Sequence, residues 1–405
     1  MAEKENNGPK VPLLENQISF CDYVFHMVDT INMVNETWLK KYKDIDVEIQ
    51  PLKKELDNLI TSQEPKPYNE AMGLIYKFRK KTEERRKYGF ALDIAPVSFF
   101  YSFVAEFERF LNRLMNESLL IESRPLKNVE NLSLKPGEDI GSHTPEEYFI
   151  KKYMIQYDRF SYQQKINIFN TFYKITIDKR SALWKKYITL FECRHCLIHQ
   201  GGIPSKDLLI RLKKQGIKLP LDEKGKITQI MSLLAYALFC FYTLSNQLTI
   251  SLLTKYKLYN DDNKDEINVY VTNSMFQPLD NEQYDLCSLL FNNNFKKVKK
   301  LIPKNEFGRQ YFIVNAILAE KFSKKGNIYK KFGKDIDWKE NEKIIGAKLL
   351  IDGKNKQFFN YLTKNKEAYS LTEIKEWPLF KFVRKDVKFI KLCEKLYGKE
   401  FFIEN

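Results

Sequence analysis

Arg194, His195 and His199 stand together in residues 184–202, WKKYITLFECRHCLIHQGG, of a chain that has 4 histidines altogether. Trp184, Ile188, Phe191, Leu197 and Ile198 recur near helical spacing. Gly201 and Gly202 stop that helix. At about 3.6 residues per turn, His195 and His199 share one face, with Arg194 at its edge. An imidazole can deprotonate a ribose 2′-hydroxyl or protonate a leaving 5′-oxygen near neutral pH. A guanidinium can grip a phosphate at two points and stabilise the charge that develops on it. Together these groups match the chemistry of RNA cleavage, a reaction that requires no metal. The negative end of a helix dipole also favours an imidazolium, which suits a general acid.

The run Arg194-His195-Cys196-Leu197-Ile198-His199 resembles the R-x4-6-H motif of the HEPN superfamily. Asn, Asp or His often follows the arginine in that motif, and His195 fits the place. The small residues after the motif and the long apolar helix downstream fit as well. The resemblance covers roughly residues 95–256. It implies an endoribonuclease in which the 2′-hydroxyl attacks the neighbouring phosphate and leaves a 2′,3′-cyclic phosphate. Arg194 would bind the phosphate, His199 would be the general acid or base, and His195 would position or assist. It implies no cofactor and a homodimer whose two motif helices meet in one composite site. It also implies a place in antiphage abortive infection or as a toxin, often acting on tRNA, with a regulator or antitoxin. An acidic residue on the first helix of such a bundle often faces the motif helix. Glu108, within FERFL, matches it, with Glu106 as the alternative; a carboxylate there could orient His199 or Arg194.

Three plainer readings compete. The histidines could be satisfied polar groups at a helix end, with Arg194 in a surface ion pair. An HEPN-like bundle can be a non-catalytic dimerisation or nucleic-acid-binding scaffold. Finally, Cys193-x2-Cys196-x2-His199 carries metal-ligand chemistry. No fourth ligand is near it, and Cys21, Cys240, Cys287 and Cys393 are scattered singly, so no metal is expected.

The elements that must position these groups are helical. Of 405 residues, 43% are hydrophobic and 14% aromatic, ample for real cores, while 15 Gly and 14 Pro are few enough to favour helices. Lys and Arg number 67 against 52 Asp and Glu, a net charge of +15 that favours a polyanionic partner such as RNA. Lysines that merely solvate the surface give the same excess. Unclustered cysteines argue against a disulfide framework and for a reducing, cytoplasmic setting. The polar start of the chain lacks an apolar h-region, so no signal peptide is expected. The apolar run 231–244 is shorter than the roughly 20 residues of a bilayer span. It is expected to be a buried core helix, with no membrane contact.

The expected fold is all-α, in three parts. Residues 1–92 form an N-terminal helical region, helical over 13–59, broken at Glu64-Pro65-Lys66-Pro67, and helical again over 68–88 until Gly89. Arg79, Lys80, Arg85 and Arg86 there interleave with Tyr76, Phe78 and Tyr88, as a solvated face or an RNA-contacting ridge. Residues 93–256 form a four- or five-helix bundle. Its first helix starts at Ala95-Pro96 and carries a stripe of Phe100, Phe103, Phe107, Phe110, Leu111 and Leu114. A polar loop over 121–145, which includes His143 without an assigned role, leads to helices over 145–157 and 162–172 and then the motif helix. Arg211, Lys213 and Lys214 follow as a second basic cluster that could hold substrate phosphates. A core helix over 226–253 closes the bundle. Residues 257–405 start with an acidic linker and a short strand over 268–273. Short helices in a solenoid-like accessory region follow, with Trp377-Pro378-Leu379-Phe380 packing a turn against the core.

Overall fold

The computed structural model describes residues 11–61, 67–129, 132, 144–339 and 341–398. The chain is all-α. Among the described residues there is no strand, and Leu221 and Ile227 form an isolated antiparallel bridge.

Two long helices come first, α1 (Pro12–Thr61) and α2 (Tyr68–Ile121). They pack on each other as a hairpin, and Glu64, Pro65 and Lys66 of the expected break between them lie outside the described residues. The root of the hairpin is buried: Leu13, Leu14, Phe20, Val24 and Ile31 of α1 meet the Phe100–Leu119 stripe of α2. Beyond the root α1 buries only Ile45 and Ile49, and α2 buries nothing before Pro96. The hairpin therefore leaves the core as an arm.

α2 corrects one expectation. It runs unbroken through Gly89 and Pro96, so the boundary expected near 92–93 is not a break in the chain. A proline inside a helix forfeits one backbone hydrogen bond, but the wide apolar stripe that follows holds the helix against α1 and α7. Gly89 faces α1 inside the helix. A Cβ there would sit 3.4 Å from the Tyr42 ring of α1.

The next helices are α3 (Pro145–Asp158), α4 (Tyr162–Tyr173), α5 (Ala182–His199), α6 (Lys206–Lys214) and α7 (Ile230–Lys255). Thr144, Ser161, Ser181 and Ser205 cap α3 to α6 by accepting a hydrogen bond from the third helical residue's backbone N–H. His143 lies outside the described residues. α7 is the hub. It packs on α1, α2, α5 and α9, and it is buried at every position from Cys240 to Leu253. Two of its polar side chains are paired across helices: Gln17 of α1 donates to Ser245 at 2.9 Å and accepts from Thr249 at 3.0 Å. By length and composition α2 and α7 could each cross a membrane, but α7 is enclosed by protein.

The C-terminal helices are α8 (Lys264–Asp280), α9 (Tyr284–Leu301), α10 (Phe307–Ser323), α11 (Ile328–Phe332), α12 (Glu342–Ile351), α13 (Asn355–Lys364), α14 (Leu371–Glu376) and α15 (Val387–Tyr397). The strand expected over 268–273 is the middle of α8. Three alternating residues, Val-Tyr-Val, are too short to decide between periods. In the fold Ile267, Tyr270, Val271 and Met275 make a buried helical stripe. Trp377, Leu379 and Phe380 are buried as expected. One hydrophobic cluster runs without interruption from Val11 to Cys393.

Glu117 of α2 gives this core a pH dependence. Burial pushes its carboxyl from 4.5 up to about 8, Arg113 opposes the rise and Glu15 adds to it. Between those values the unfolded chain has ionised Glu117 while the folded chain still holds the proton, so stability falls as pH rises. Glu117→Gln removes that loss. Its Tm should exceed the native value by roughly 1–3 °C at pH 8 and converge with it at pH 4.5. An equal offset at both pH values in thermal unfolding would contradict the assignment.

Candidate functional site

α5 is anchored by aromatics and presents its polar end to solvent. Phe191 stacks on Tyr162 of α4 at 4.8 Å and meets Phe241 of α7 edge-on at 5.9 Å. The Tyr187 hydroxyl donates to the Tyr162 carbonyl at 2.7 Å. At the other end, Gln200 and Gly202 both donate their N–H to the Cys196 carbonyl, at 3.0 and 2.9 Å. Gly201 and Gly202 adopt φ of 60° and 84°, a conformation that costs glycine least. Ile227 then donates to the Gly202 carbonyl at 2.8 Å, which pins the turn to the following segment.

On that fixed end His195 and His199 are both exposed. Their rings lie 5.0 Å apart, tilted by 49°. Arg194 is half-buried, and its Nε is buried without a hydrogen-bond partner. The surface ion pair of the plainer reading is absent: among the described residues no carboxylate pairs with Arg194. The three expected groups are thus brought together on one helix end. Cys193 and Cys196 instead face the core, where burial pushes the Cys196 thiol up to about 11 and the Cys193 thiol higher still. A zinc ligand must be a thiolate, and these thiols diverge from the exposed His199. Among the described residues no group of three or more His, Cys, Asp or Glu could hold a metal.

Glu108 does not reach the motif. Burial raises the Tyr101 phenol of α2, and the Arg194 guanidinium opposes that rise, so Tyr101 lies within electrostatic range of Arg194. Burial likewise raises the Tyr187 phenol, and Glu108 adds to it. The two pairings share one antiparallel register. Glu108 therefore lies about 10 Å along α2 from Tyr101, at 1.5 Å per residue. Among the described residues it forms no hydrogen bond or ion pair with Arg194, His195 or His199. The physical reason is the direction of packing: α2 meets α5 through Phe107 on Tyr187, which draws Glu108 toward the start of α5. The alternative, Glu106, is paired with Arg109, and its charge falls on Tyr23 of α1.

Two residues at this site were not foreseen. Tyr101 lies beside the apolar stripe of α2 and carried no signal of its own in the sequence. Glu192 sits within the apolar face of α5, a carboxylate where a hydrophobe belongs, and that misfit was its only signal. Its buried Oε1 accepts from the Tyr162 hydroxyl at 2.7 Å and from Arg211 at 2.9 Å. Arg211 of the second basic cluster is thereby committed to holding α6 on α5, with its side chain still 61% exposed. Lys213 and Lys214 remain exposed. Because α6 runs back along α5, with Gly216 beside Lys185, this cluster lies toward the first half of α5 rather than its histidine end.

The basic ridge lies on the arm. Arg85 pairs with Asp46 of α1 at 2.8 Å and covers the Tyr42 ring at 4.8 Å, so it ties the two arm helices. Arg79 pairs with Glu83 at 3.5 Å on an open surface. Lys80 and Arg86 are exposed, and among the described residues neither is in an ion pair. From Tyr101 back to Arg86 is about 22 Å along α2, in the direction in which α5 ends. The ridge thus stands beyond the histidine end, not at it.

No family model matches the chain, and neither the curated proteins nor the solved structures contain a significant match.

The Glu192–Arg211 pair yields a test that separates structure from substrate binding. Arg211→Ala leaves a buried carboxylate with one hydrogen bond fewer and should lower stability by about 1–3 kcal/mol in denaturant unfolding. Lys213→Ala with Lys214→Ala should stay within about 0.5 kcal/mol of the native chain. Equal effects from the two variants would show that the pair does not hold α6.

Proposed function

We propose that Arg194, His195 and His199 form the catalytic centre of an HEPN-type endoribonuclease. The single observation that carries this reading is the pairing of two exposed imidazoles 5.0 Å apart with an adjoining guanidinium whose Nε has no partner. Structural histidines and arginines are satisfied by neighbours; groups left exposed and unpaired on a rigid end are available to a ligand.

In this reading Arg194 donates to the non-bridging oxygens of one phosphate and stabilises the charge that builds on them. One imidazole takes the proton from the ribose 2′-hydroxyl, and the 2′-oxygen attacks phosphorus. The P–O5′ bond breaks as the other imidazole, protonated, gives its proton to the leaving 5′-oxygen. The products are a 2′,3′-cyclic phosphate and a 5′-hydroxyl, and no external reactant is needed. His199 takes one of the two proton-transfer roles, and His195 the other or a positioning role. The helices α2 to α7 form the HEPN-like bundle, and α8 to α15 a solenoid-like accessory region. Ile198 and Ile203 are exposed apolar residues beside the motif, which suits a homodimer that joins two motif helices in a composite site. Lys80, Arg86, Lys213 and Lys214 hold flanking RNA phosphates, in keeping with the net charge of +15. A cytoplasmic nuclease of this kind suits antiphage abortive infection or a toxin under the control of a regulator or antitoxin, with tRNA as one candidate substrate.

The second reading, a non-catalytic dimerisation or RNA-binding scaffold, draws on the position of Glu108: among the described residues no carboxylate bonds to either imidazole. The discriminating experiment is a cleavage assay in EDTA on total RNA and tRNA. Arg194→Ala and His199→Ala should each cut at least about 100-fold more slowly than the native protein. Native and variant proteins that bind RNA equally and cleave nothing would favour the scaffold.

A further inference from the structure

The C-terminal helices enclose a second site, remote in sequence from α5. A cavity of about 520 Å³ opens between α8, α10, α12 and α14. Its size is that of a small-molecule pocket. Phe276, Phe307, Tyr311 and Trp377 supply its aromatic walls, with the Tyr311 and Trp377 rings 5.1 Å apart. Asn315 of α10, fully buried, borders the same space. The Trp377 indole N–H donates to Asn315 Oδ1 at 3.1 Å. That bond fixes which way the amide points, because an indole can only donate. Asn315 Nδ2 is therefore a donor, and it is buried with no hydrogen-bond partner. Unpaired buried donors are rare in folded proteins, and each calls for an acceptor. At the mouth stand Glu376 and the ion pair of Lys343 with Glu373, so the rim carries a net negative charge.

These features select a ligand. The walls ask for a flat aromatic ring. The inner donor asks for an acceptor atom on that ring. The acidic rim asks for hydroxyl or amino donors on the outer part and disfavours an anion there. An aromatic amino acid fails on two counts: its carboxylate meets the acidic rim, and phenylalanine or tryptophan offers no ring acceptor. A nucleobase has ring acceptors and two π faces, and ribose places hydroxyl donors at the far end. We propose that this cavity binds a nucleoside, with the base between the aromatic walls, an acceptor of the base on Asn315 Nδ2 and the sugar at the acidic mouth. This assignment does not depend on the nuclease reading.

Calorimetric titration of the full chain with adenosine, guanosine, cytidine and uridine, each alongside its 5′-monophosphate, tests it. At least one nucleoside should bind with Kd below about 1 mM, and its monophosphate should bind at least about tenfold more weakly. Asn315→Asp keeps an acceptor for Trp377 but removes the N–H2 donor, and should weaken binding at least about tenfold. Thr372→Trp, at the exposed rim of the cavity, should do the same without disturbing the core, and it decides the matter if the buried Asp variant fails to fold. His199→Ala should bind like the native chain, which separates this cavity from any nucleoside contact at α5. Failure of all four nucleosides to bind overturns the proposal. So does a monophosphate that binds as tightly as its nucleoside, or a Thr372→Trp variant with native affinity.

Discussion

The fold depends on Phe107 of α2 lying flat against Phe241 of α7. Their rings are 4.3 Å apart and within 8° of parallel. Phe20 of α1 and Tyr187 of α5 close on the same ring at 5.7 and 6.1 Å. Four helices therefore meet at one aromatic contact. α7 can serve as the hub because it is buried on every face from Cys240 to Leu253, and several of its polar side chains find partners on α1 and α8, such as Asn246, which accepts from the Tyr270 hydroxyl at 2.8 Å. Solvating such a helix would expose a large apolar area, at about 25 cal/mol for each Å².

That contact sets the geometry of the site. With α2 and α5 fastened through Phe107 and Tyr187, their register is fixed, and Tyr101 comes within electrostatic range of Arg194. The aromatic part of α5 is held by α2, α4 and α7, while His195, Ile198 and His199 near its end are exposed. The backbone that carries the two imidazoles is pinned where Ile227 bonds Gly202. Preorganisation of this kind is what a proton-transfer site needs. The arm extends from the same helix, so a long substrate seated at α5 would run toward Lys80 and Arg86. The accessory helices share the core through α7 and α9, and they carry an aromatic cavity of their own.

Much of this was legible in the sequence, for reasons that differ by element. The helical stripe Phe100 to Leu114 and the 184–202 motif helix were readable because side-chain period reports burial directly. Gly89 and Pro96 misled because a helix-breaking residue reports only its own backbone, whereas packing of the next four turns decides whether the helix continues. Val-Tyr-Val misled because three residues cannot distinguish a period of 2 from one of 3.6. The cluster of Arg194, His195 and His199 was visible because its members are neighbours in sequence. Tyr101 and Glu192 were not, because each acquires its role from a partner on another helix. Glu108 shows the converse: a residue of the right type on the right helix, displaced about two turns by the register of the packing. Arg85 and Arg211 were read as basic charge alone, while their carboxylate partners, Asp46 and Glu192, lie on other helices.

The central claim is that one helix end cleaves RNA by internal attack of a ribose hydroxyl. The most direct measurement is the chemical identity of the cut ends, by mass spectrometry of a short RNA digested with the native protein. The account predicts a 2′,3′-cyclic phosphate on one fragment and a 5′-hydroxyl on the other. Fragments ending in a 3′-hydroxyl and a 5′-phosphate would contradict it, because those ends require attack by water on the opposite bond of the phosphate.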